Sequence, residues 1–343
     1  MAIDILKTKI STPRANIEEY KFCLYSTPKG GKTTLFVKLI EKIYGDTKKG
    51  FIIKTEEGTK GLTTFGEKAN NFNEVKELVD QLVQYKDKLD IKVVAIDTID
   101  KMFVYAKHFV LKREGRKDGK KYLAVNDIPW GKGWGMIEDA IVEQLEKLEN
   151  AGYGIFVIAH DKTKRFESRD GISYDQTTID MHERLRGAIL NFCDFITFID
   201  IAKEKDESGN IKDKRYIYFR SDGSDIVAGS RFADVPEKVE YGADNFIKAF
   251  EQGVNGALQG QDIKKIKKKQ EKENKKKSED FIKEETKRSA EDIAEEIKVK
   301  YMDSSEGQKG KMKELMAEYE IADFKEPESA SYEGLEKILE ILS

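Results

Sequence analysis

The chain has 343 residues and a mass of 39.2 kDa, with 39% hydrophobic residues, 36% charged residues and a formal net charge of −3. This length exceeds one compact core of ordinary size, so we expect one large domain and a smaller one. The chain has only two cysteines, which argues against a disulfide framework and a zinc site. It has no run of about eighteen consecutive apolar residues, which argues against a membrane span, and its N-terminus lacks a leader-like apolar segment, which argues against secretion. We therefore expect a cytoplasmic protein without a membrane partner.

Five short apolar runs alternate with amphipathic stretches in the first two thirds of the chain. They are "KFCLY", "GFIIK", "IKVVAID", "YGIFVIAH" and "CDFITFIDI". This alternation predicts βαβ units and an α/β fold with a mainly parallel sheet. Two later segments, "KRYIYFRSDG" and "DIVAGSRF", meet at "SDGS" and predict an antiparallel hairpin at the sheet edge.

The first apolar run is followed by a phosphate-loop pattern. The residues are Ser26, Thr27, Pro28, Lys29, Gly30, Gly31, Lys32 and Thr33, which match GxxxxGK[ST] except for serine at the first glycine position, and Thr34 begins the helical pattern "TTLFVKLIEKIY". Glycines let backbone amides approach a phosphate, while a lysine binds the β and γ oxygens and a hydroxyl binds Mg²⁺. We predict that residues 27–34 bind ATP, with Lys32 on the phosphates and Thr33 on the metal. The alternative is a plain Pro-Lys-Gly-Gly turn.

Acidic and imidazole side chains follow three other apolar runs. Asp97 ends "KVVAID", where a carboxylate could hold the water shell of Mg²⁺, although a lone aspartate also commonly caps a helix. Glu56 and Glu57 follow "GFIIK", and either could deprotonate a water that attacks the γ-phosphate, or lie in a solvated acidic turn. His160 ends "GIFVIAH" and could sense the γ-phosphate, although a lone histidine is more often structural.

The composition changes near Gly253. Residues 262–277 contain nine lysines against three acidic residues, and apolar residues at helical spacing return beyond residue 280. We predict a large α/β domain over residues 1–253, a basic linker or solvated helix over 254–280, and a small helical domain over 281–343.

Taken together, "YSTPKGGKTT", "IIKTEEG", "VVAIDTID", "NDIPWGKGWG", "IAH" and "GSRF" resemble the RecA-like core ATPases, and within them the phage-encoded ATPases of single-strand annealing and recombination. The resemblance covers residues 21–253. It implies a RecA-like P-loop NTPase core, Glu56 as the catalytic base, and a homo-oligomer (a ring or a filament) in which a neighbouring subunit supplies a cation. Lys214, Arg215 and Arg231 are the candidates for that cation. Ser26 departs from the family pattern and leaves the start of the loop open.

The resemblance also implies single-stranded DNA as a partner. The polar segment after His160 occupies the place of the DNA-facing loops, and it offers cations and rings of the kind that bind single strands: Lys162, Lys164, Arg165, Arg169, Phe166 and Tyr174. A second basic stretch precedes Trp130 and Trp134 and contains Lys112, Arg113, Arg116, Lys117, Lys120 and Lys121. An ordinary surface loop is the alternative for both.

The sequence thus predicts an ATPase that acts on single-stranded DNA in phage recombination, by annealing or strand pairing. A second interpretation is an ATP-dependent loader or switch whose C-terminal helices recruit a single-strand binding protein or a helicase. A small-molecule kinase would share the phosphate loop, but the sequence has no signature of an acceptor site.

Overall fold

The computed structural model describes residues 12–58, 61–167, 171–205, 209–221, 225–257, 290–323 and 331–342. The helices are α1 (Lys32–Tyr44), α2 (Phe72–Gln84), α3 (Ile99–Lys117), α4 (Gly133–Asn150), α5 (Glu183–Phe192), α6 (Ala243–Gly256), α7 (Ala290–Asp303), α8 (Glu306–Glu318) and α9 (Tyr332–Leu342). The strands are β1 (Lys21–Ser26), β2 (Gly50–Lys54), β3 (Gly66–Lys68), β4 (Val93–Asp97), β5 (Gly154–Glu167), β6 (Ser173–Ile179), β7 (Phe195–Lys205), β8 (Ile211–Tyr218), β9 (Gly229–Ser230) and β10 (Lys238–Glu240).

The predicted α/β fold with a mainly parallel sheet is confirmed. The sheet order is β10-β8-β7-β1-β5-β4-β2-β3, with β6 paired to β5 and β9 paired to β7. The five strands predicted from apolar runs are mutually parallel. Their carboxyl ends therefore lie at one edge, where Ser26 is in register with His160, and Lys54 with Asp97.

Helices cover both faces of the sheet, which explains why its central strands are buried throughout. On β1, Phe22 and Leu24 face the core formed with α1 and α6, whereas Cys23 and Tyr25 face the core formed with α2 to α5. Phe22 stacks on Phe156 at a centroid distance of 4.5 Å. Burying one such ring stabilises a fold by about 1.5–3 kcal/mol, so β1 is firmly anchored at the centre of the sheet.

The antiparallel edge exists, but its pairing differs from the prediction. Strand β8 pairs with β7 and β10, while β9 pairs with β7 instead of β8. The predicted hairpin between the segments 214–223 and 225–232 is therefore wrong, because the long β7 offers a partner to both segments. Residues 222–224 of the predicted turn lie outside the described residues.

The polar segment after His160 is a β-hairpin followed by α5, which corrects the prediction of a loop. Residues 161–167 of β5 pair antiparallel with β6, and Phe166 lies opposite Tyr174, one pair before the last. We call residues 161–167 and 173–179 the arm. Their side chains are mostly polar and, except for the last two residues of β6, partly or fully exposed, so the hydrophobic pattern carried no sign of these strands.

The chain divides into two compact units, of which the larger spans Thr12–Gln261. Its last helix, α6, runs through Gly253, where the sequence placed the end of the first domain. A Cβ at Gly253 would lie 2.1 Å from Val235 Cγ2, so this glycine serves close packing. Most of the linker predicted for 254–280 lies outside the described residues, because these omit residues 258–289.

The smaller unit contains helices α7, α8 and α9 around a core of its own. Ile297, Leu335 and Ile338 are its fully buried members. Helix α8 begins with a capping box, in which Gln308 accepts from the amide of Ser305 at 3.0 Å. Within the described part of the chain, no helix is both long and apolar enough to cross a membrane.

Candidate functional site

The loop between β1 and α1 has a backbone that requires glycine at two positions. Gly31 has φ of 104°, a left-handed conformation that favours glycine. A Cβ at Gly30 would lie 2.0 Å from Ser26 Oγ. The departure from the family pattern is accommodated, because the buried Ser26 hydroxyl donates to Ile199 O at 2.8 Å and occupies the space that a side chain at residue 30 would fill.

Lys32 begins α1 and is buried beneath this loop. Its Nζ donates to Ser26 O at 2.9 Å and to Thr27 O at 3.0 Å, and the residue is only 6% exposed. Burial lowers the pKa of the ammonium, while the carboxylate of Asp97 acts in the opposite direction. The charge is thus held at a helix N-terminus, where backbone amides and the helix dipole also favour an anion.

Thr33 and Asp97 form the arrangement expected of a Mg²⁺ site. Thr33 Oγ1 donates to Asp97 Oδ2 at 2.6 Å, and Asp97 is 4% exposed. Burial raises the pKa of this carboxyl, and the hydrogen bond from Thr33 opposes that shift. A hydroxyl and a carboxylate are oxygen ligands that suit Mg²⁺, which commonly keeps part of its water shell. These residues fit the metal that the phosphate loop implies.

Glu56 faces His160 across the same cleft. Glu56 Oε1 lies 3.8 Å from His160 Nε2. Burial raises the pKa of the Glu56 carboxyl, and the neighbouring imidazole acts against that rise. Glu57 is more exposed and accepts from Lys68 Nζ at 2.8 Å. Of the two glutamates, Glu56 is therefore the one in contact range of the histidine.

These side chains converge on one cleft of about 720 Å³, which we call the main cleft. The predicted site residues that line it are Pro28, Lys29, Gly30, Gly31, Lys32, Thr33, Thr34, Glu56, Glu57, Asp97 and His160. Thr27 does not line it and contributes its carbonyl to Lys32 instead. Gly58, Gly61 and Leu62 also line the cleft and were missed, because they follow the β2 motif without a pattern of their own.

Asp100 is a further residue of the site that the sequence reasoning missed. Its Oδ2 lies 3.0 Å from His160 Nδ1, and its Oδ1 accepts from the His160 amide at 3.1 Å. The hydrogen bond to Asp100 raises the pKa of the imidazole, although burial opposes the rise. Burial alone would raise the pKa of Asp100, but the bonds from His160 hold it below its usual range. Its position three residues after Asp97 is the only sequence signal.

Tyr241 was also missed, since it lies 210 residues from its partner in the chain. Its hydroxyl donates to Gly31 O at 2.8 Å, so it fastens the phosphate loop to the antiparallel edge. The guanidinium of Arg215 lies 5.8 Å from the centroid of the Tyr241 ring. Of the three candidate cations, Arg215 is thus linked to the loop, whereas Lys214 pairs with Glu204 at 3.2 Å and Arg231 with Asp194 at 2.9 Å.

A second cleft, of about 570 Å³, lies at the base of the arm. Its lining residues are Asp100, Phe103, Val104, Lys162, Lys164, Asp180, Met181, His182 and Glu183. The two lysines of this cleft are each paired with a carboxylate, Lys162 with Asp180 at 3.1 Å and Lys164 with Glu183 at 2.8 Å. Near the arm tip, the rings of Phe166 and Tyr174 stack at a centroid distance of 6.1 Å. Arg165 is exposed in the arm, and Arg169 lies outside the described residues.

The second basic stretch is largely helical, which corrects the expectation of a loop. Lys112, Arg113, Arg116 and Lys117 belong to α3, and Lys120 and Lys121 follow it. Trp130 is 90% exposed. Trp134 lies in α4 and stacks on His182 at a centroid distance of 3.6 Å, so it contacts a residue of the second cleft.

Comparison with known proteins gives the family of the domain that contains the main cleft. Residues 18–232, more than half of the chain, match a family model described as an AAA domain, and this range contains every predicted site residue. No curated protein matched the chain. The matched family is of the P-loop type, for which nucleotide binding and hydrolysis are the expected activities. The chain belongs to the AAA domain family of P-loop ATPases.

Proposed function

We propose that this protein binds ATP with Mg²⁺ in the main cleft, hydrolyses it, and couples the bound state to single-stranded DNA in phage recombination, by annealing or strand pairing. The observation that carries the ATPase proposal is the convergence of three sets of groups on one cleft. These are the buried Lys32, the Thr33–Asp97 pair and the Glu56–His160 pair.

In this proposal the phosphates take over the hydrogen bonds that Lys32 makes to two loop carbonyls. The ammonium then neutralises negative charge in a largely water-free position, where its effect is greater than in bulk water. Bound Mg²⁺ would further neutralise charge on the β- and γ-phosphates. Thr33 and Asp97 are the residues that would hold it.

Glu56 is the proposed general base. Burial raises the pKa of its carboxyl and so brings that pKa closer to neutral pH. A carboxylate with a higher pKa accepts a proton from a water nucleophile more readily. The hydrogen bond to Asp100 raises the pKa of His160, and the protonated ring can donate from Nε2–H to the terminal phosphate. Removing one such group from a preorganised site typically lowers the rate about 10²–10³-fold.

The proposal for single-stranded DNA rests on the arm and the second cleft. The arm carries cations and the stacked rings of Phe166 and Tyr174, and the Trp134–His182 stack lies at the second cleft. Cations can neutralise the phosphates of a single strand, and aromatic rings can stack on its unpaired bases. Asp100 lines the second cleft and also bonds His160 of the main cleft. A contact thus joins the two clefts and could transmit nucleotide state.

The test is phosphate release by the full chain, with and without single-stranded DNA, compared with Lys32→Ala. Lys38→Ala is the matched control, because Lys38 is exposed on the same helix. We expect turnover by the wild type and the control and its loss in Lys32→Ala. Full turnover by Lys32→Ala contradicts the ATPase proposal. DNA binding that does not weaken with salt contradicts the cationic arm, because phosphate contacts release counterions.

The loader is retained as a second candidate because of one surface of the smaller unit. On α7, Val299 is 66% exposed and Met302 is 83% exposed, one turn apart on the same helix. Such a pair suits a partner protein. The double variant Val299→Glu/Met302→Glu should abolish recruitment by a loader but leave strand annealing by a recombinase unchanged.

Oligomerisation is proposed together with this function, since the RecA-like ATPases take a cation from a neighbouring subunit. Arg215 is the favoured candidate. It is exposed, and its ring contact with Tyr241 connects it to the phosphate loop. In mixing experiments, subunits carrying Arg215→Ala should lower the turnover of wild-type subunits if the cation acts between subunits.

A further inference from the structure

Helix α3 bonds to His160 and to Thr55, the residue that precedes Glu56 in the main cleft. Asp100, in its first turn, accepts from the amide of His160 at 3.1 Å and lies 3.0 Å from its Nδ1. One carboxylate therefore binds the backbone and the ring of the same residue. With Nδ1 engaged in this way, Nε2 is the nitrogen left to face Glu56, at 3.8 Å.

The same helix also fixes the backbone that carries Glu56. Tyr105 Oη donates to Thr55 O at 3.0 Å, which is the carbonyl of the peptide linking Thr55 to Glu56. The Thr55 side chain bonds the backbone at Thr98, both as donor to its carbonyl and as acceptor from its amide, each at 2.8 Å. Glu56 thus follows a buried residue, Thr55, whose side chain makes two hydrogen bonds to the backbone just before α3.

We propose that two residues of α3, Asp100 and Tyr105, are positioning residues for the reaction in the main cleft. Asp100 orients His160, and Tyr105 orients the peptide before Glu56. Neither is expected to touch the nucleotide, since neither lines the main cleft. The proposal rests on the proposed ATPase function. Its consequence is that α3, a helix outside the phosphate loop, influences the rate of hydrolysis.

The charged groups around His160 come from several elements. Asp100 of α3 and Glu56 after β2 favour the imidazolium, whereas Lys32 of α1 disfavours it. Asp97 of β4 and the adjacent Asp161 of β5 also act on it electrostatically. Of these residues, Asp100 is the one that hydrogen-bonds to His160 directly, so its substitution should change the orientation and the titration of the imidazole most.

The first measurement does not depend on activity. The chain contains three histidines, so the imidazole signals of the full-length protein can be followed by NMR and assigned with His108→Gln, His160→Gln and His182→Gln. In Asp100→Asn the titration midpoint of His160 should move to lower pH, because the ring loses a charged hydrogen-bond partner. An unchanged midpoint for His160 would overturn the role of Asp100.

The second measurement is steady-state turnover of Asp100→Asn and Tyr105→Phe. We expect kcat to fall with little change in KM, by about 10²-fold for Asp100→Asn if the ring shifts by about 1 Å. Asp118→Asn and Tyr122→Phe are matched controls near the other end of α3, since they alter the bond from Tyr122 Oη to Asp118 at 2.6 Å, which lies outside both clefts. Unchanged kcat in both test variants would overturn the proposal.

Failure of the proposed function gives a different pattern. If the wild type does not hydrolyse ATP, the ATPase proposal fails, while the NMR midpoint still decides whether Asp100 orients His160. If the wild type is active and Asp100→Asn shifts the midpoint without lowering kcat, Asp100 acts on the ring but not on the reaction, which overturns its positioning role.

Discussion

The two halves of β5 show how the same strand can serve a buried site and an exposed surface. Residues 154–159 are buried in the sheet and end at His160, whose ring is held by Asp100. Residues 161–167 leave the sheet and form the arm, where the lysines are paired with exposed carboxylates. The charged groups of Lys32 and Asp97 at the main cleft are thus buried, whereas the lysines of the arm are paired with carboxylates and lie partly in solvent. Substitutions should therefore have large, chemical effects in the cleft and small, salt-dependent effects on the arm.

The largest expected effect is that of Lys32→Ala. Loss of a buried ammonium from a preorganised site should lower kcat about 10²–10³-fold, measured as phosphate release. The unfolding midpoint in denaturant should be recorded in parallel to confirm that the variant is folded. If Lys32→Ala changed turnover no more than an arm substitution does, the contrast between the two regions would not hold.

The next effect is the pH-dependent stabilisation by the Asp100–His160 pair. The folded-state pKa of His160 is raised, so its contribution is complete below the unfolded value of about 6.5 and is lost as pH rises through the folded value. The pKa of Asp100 is lowered, so its contribution is present above about 3.9 and is lost as pH falls through its folded value. The pair should stabilise the fold most between about pH 4 and pH 6.5.

A double-mutant cycle with Asp100→Asn and His160→Gln measures this stabilisation. The coupling energy from urea unfolding should be about 1.5–3 kcal/mol at pH 5.5, as for a hydrogen bond to a charged group, and smaller at pH 9. Equal coupling at both pH values would show that the charge of the pair does not contribute.

Tyr241→Phe should have a moderate effect on nucleotide affinity. Losing the bond to Gly31 O costs about 0.5–1.5 kcal/mol, and we expect weaker binding of a fluorescent ATP analogue with a smaller change in kcat. Tyr44→Phe is the control, because it loses a bond to Glu18 at 3.1 Å at the other end of α1. Equal affinities for the two variants would remove Tyr241 from the site.

The smallest effect on turnover is expected for Lys162→Ala in the arm. Its ion pair with Asp180 is about half exposed, and such pairs contribute little to stability. The informative measurement is DNA affinity against salt, where loss of one phosphate contact should reduce the slope by about one. An unchanged slope would place the DNA contact elsewhere, for example on the basic end of α3.

The contrast between the cleft and the arm also explains what the sequence could predict. The five parallel strands were predictable because strands buried on both faces are continuous apolar runs. The phosphate loop and Asp97 were predictable because a parallel sheet brings the carboxyl ends of its strands to one edge. The arm was not predictable in this way, since its residues are mostly polar and, of its members, only Ile179 at the base of β6 belongs to the hydrophobic core.

Other contacts depend on tertiary structure alone. Tyr241 reaches Gly31 only because β8 and β10 extend the sheet beside β7, and no local pattern marks it. Asp100 was visible beside Asp97, but its role depends on β5 lying next to β4. Strands β8 and β9 are adjacent in sequence, and the sequence therefore predicted that they pair with each other. Instead, each pairs with the same third strand, β7.

The most direct test of the account is a crystal structure of the full chain with Mg²⁺ and a slowly hydrolysed ATP analogue. We predict the triphosphate against the amides of residues 29–34, the metal at Thr33 and Asp97, and the terminal phosphate beside Glu56 and His160. A nucleotide bound at another surface, or a main cleft without nucleotide at saturating concentration, would contradict the account.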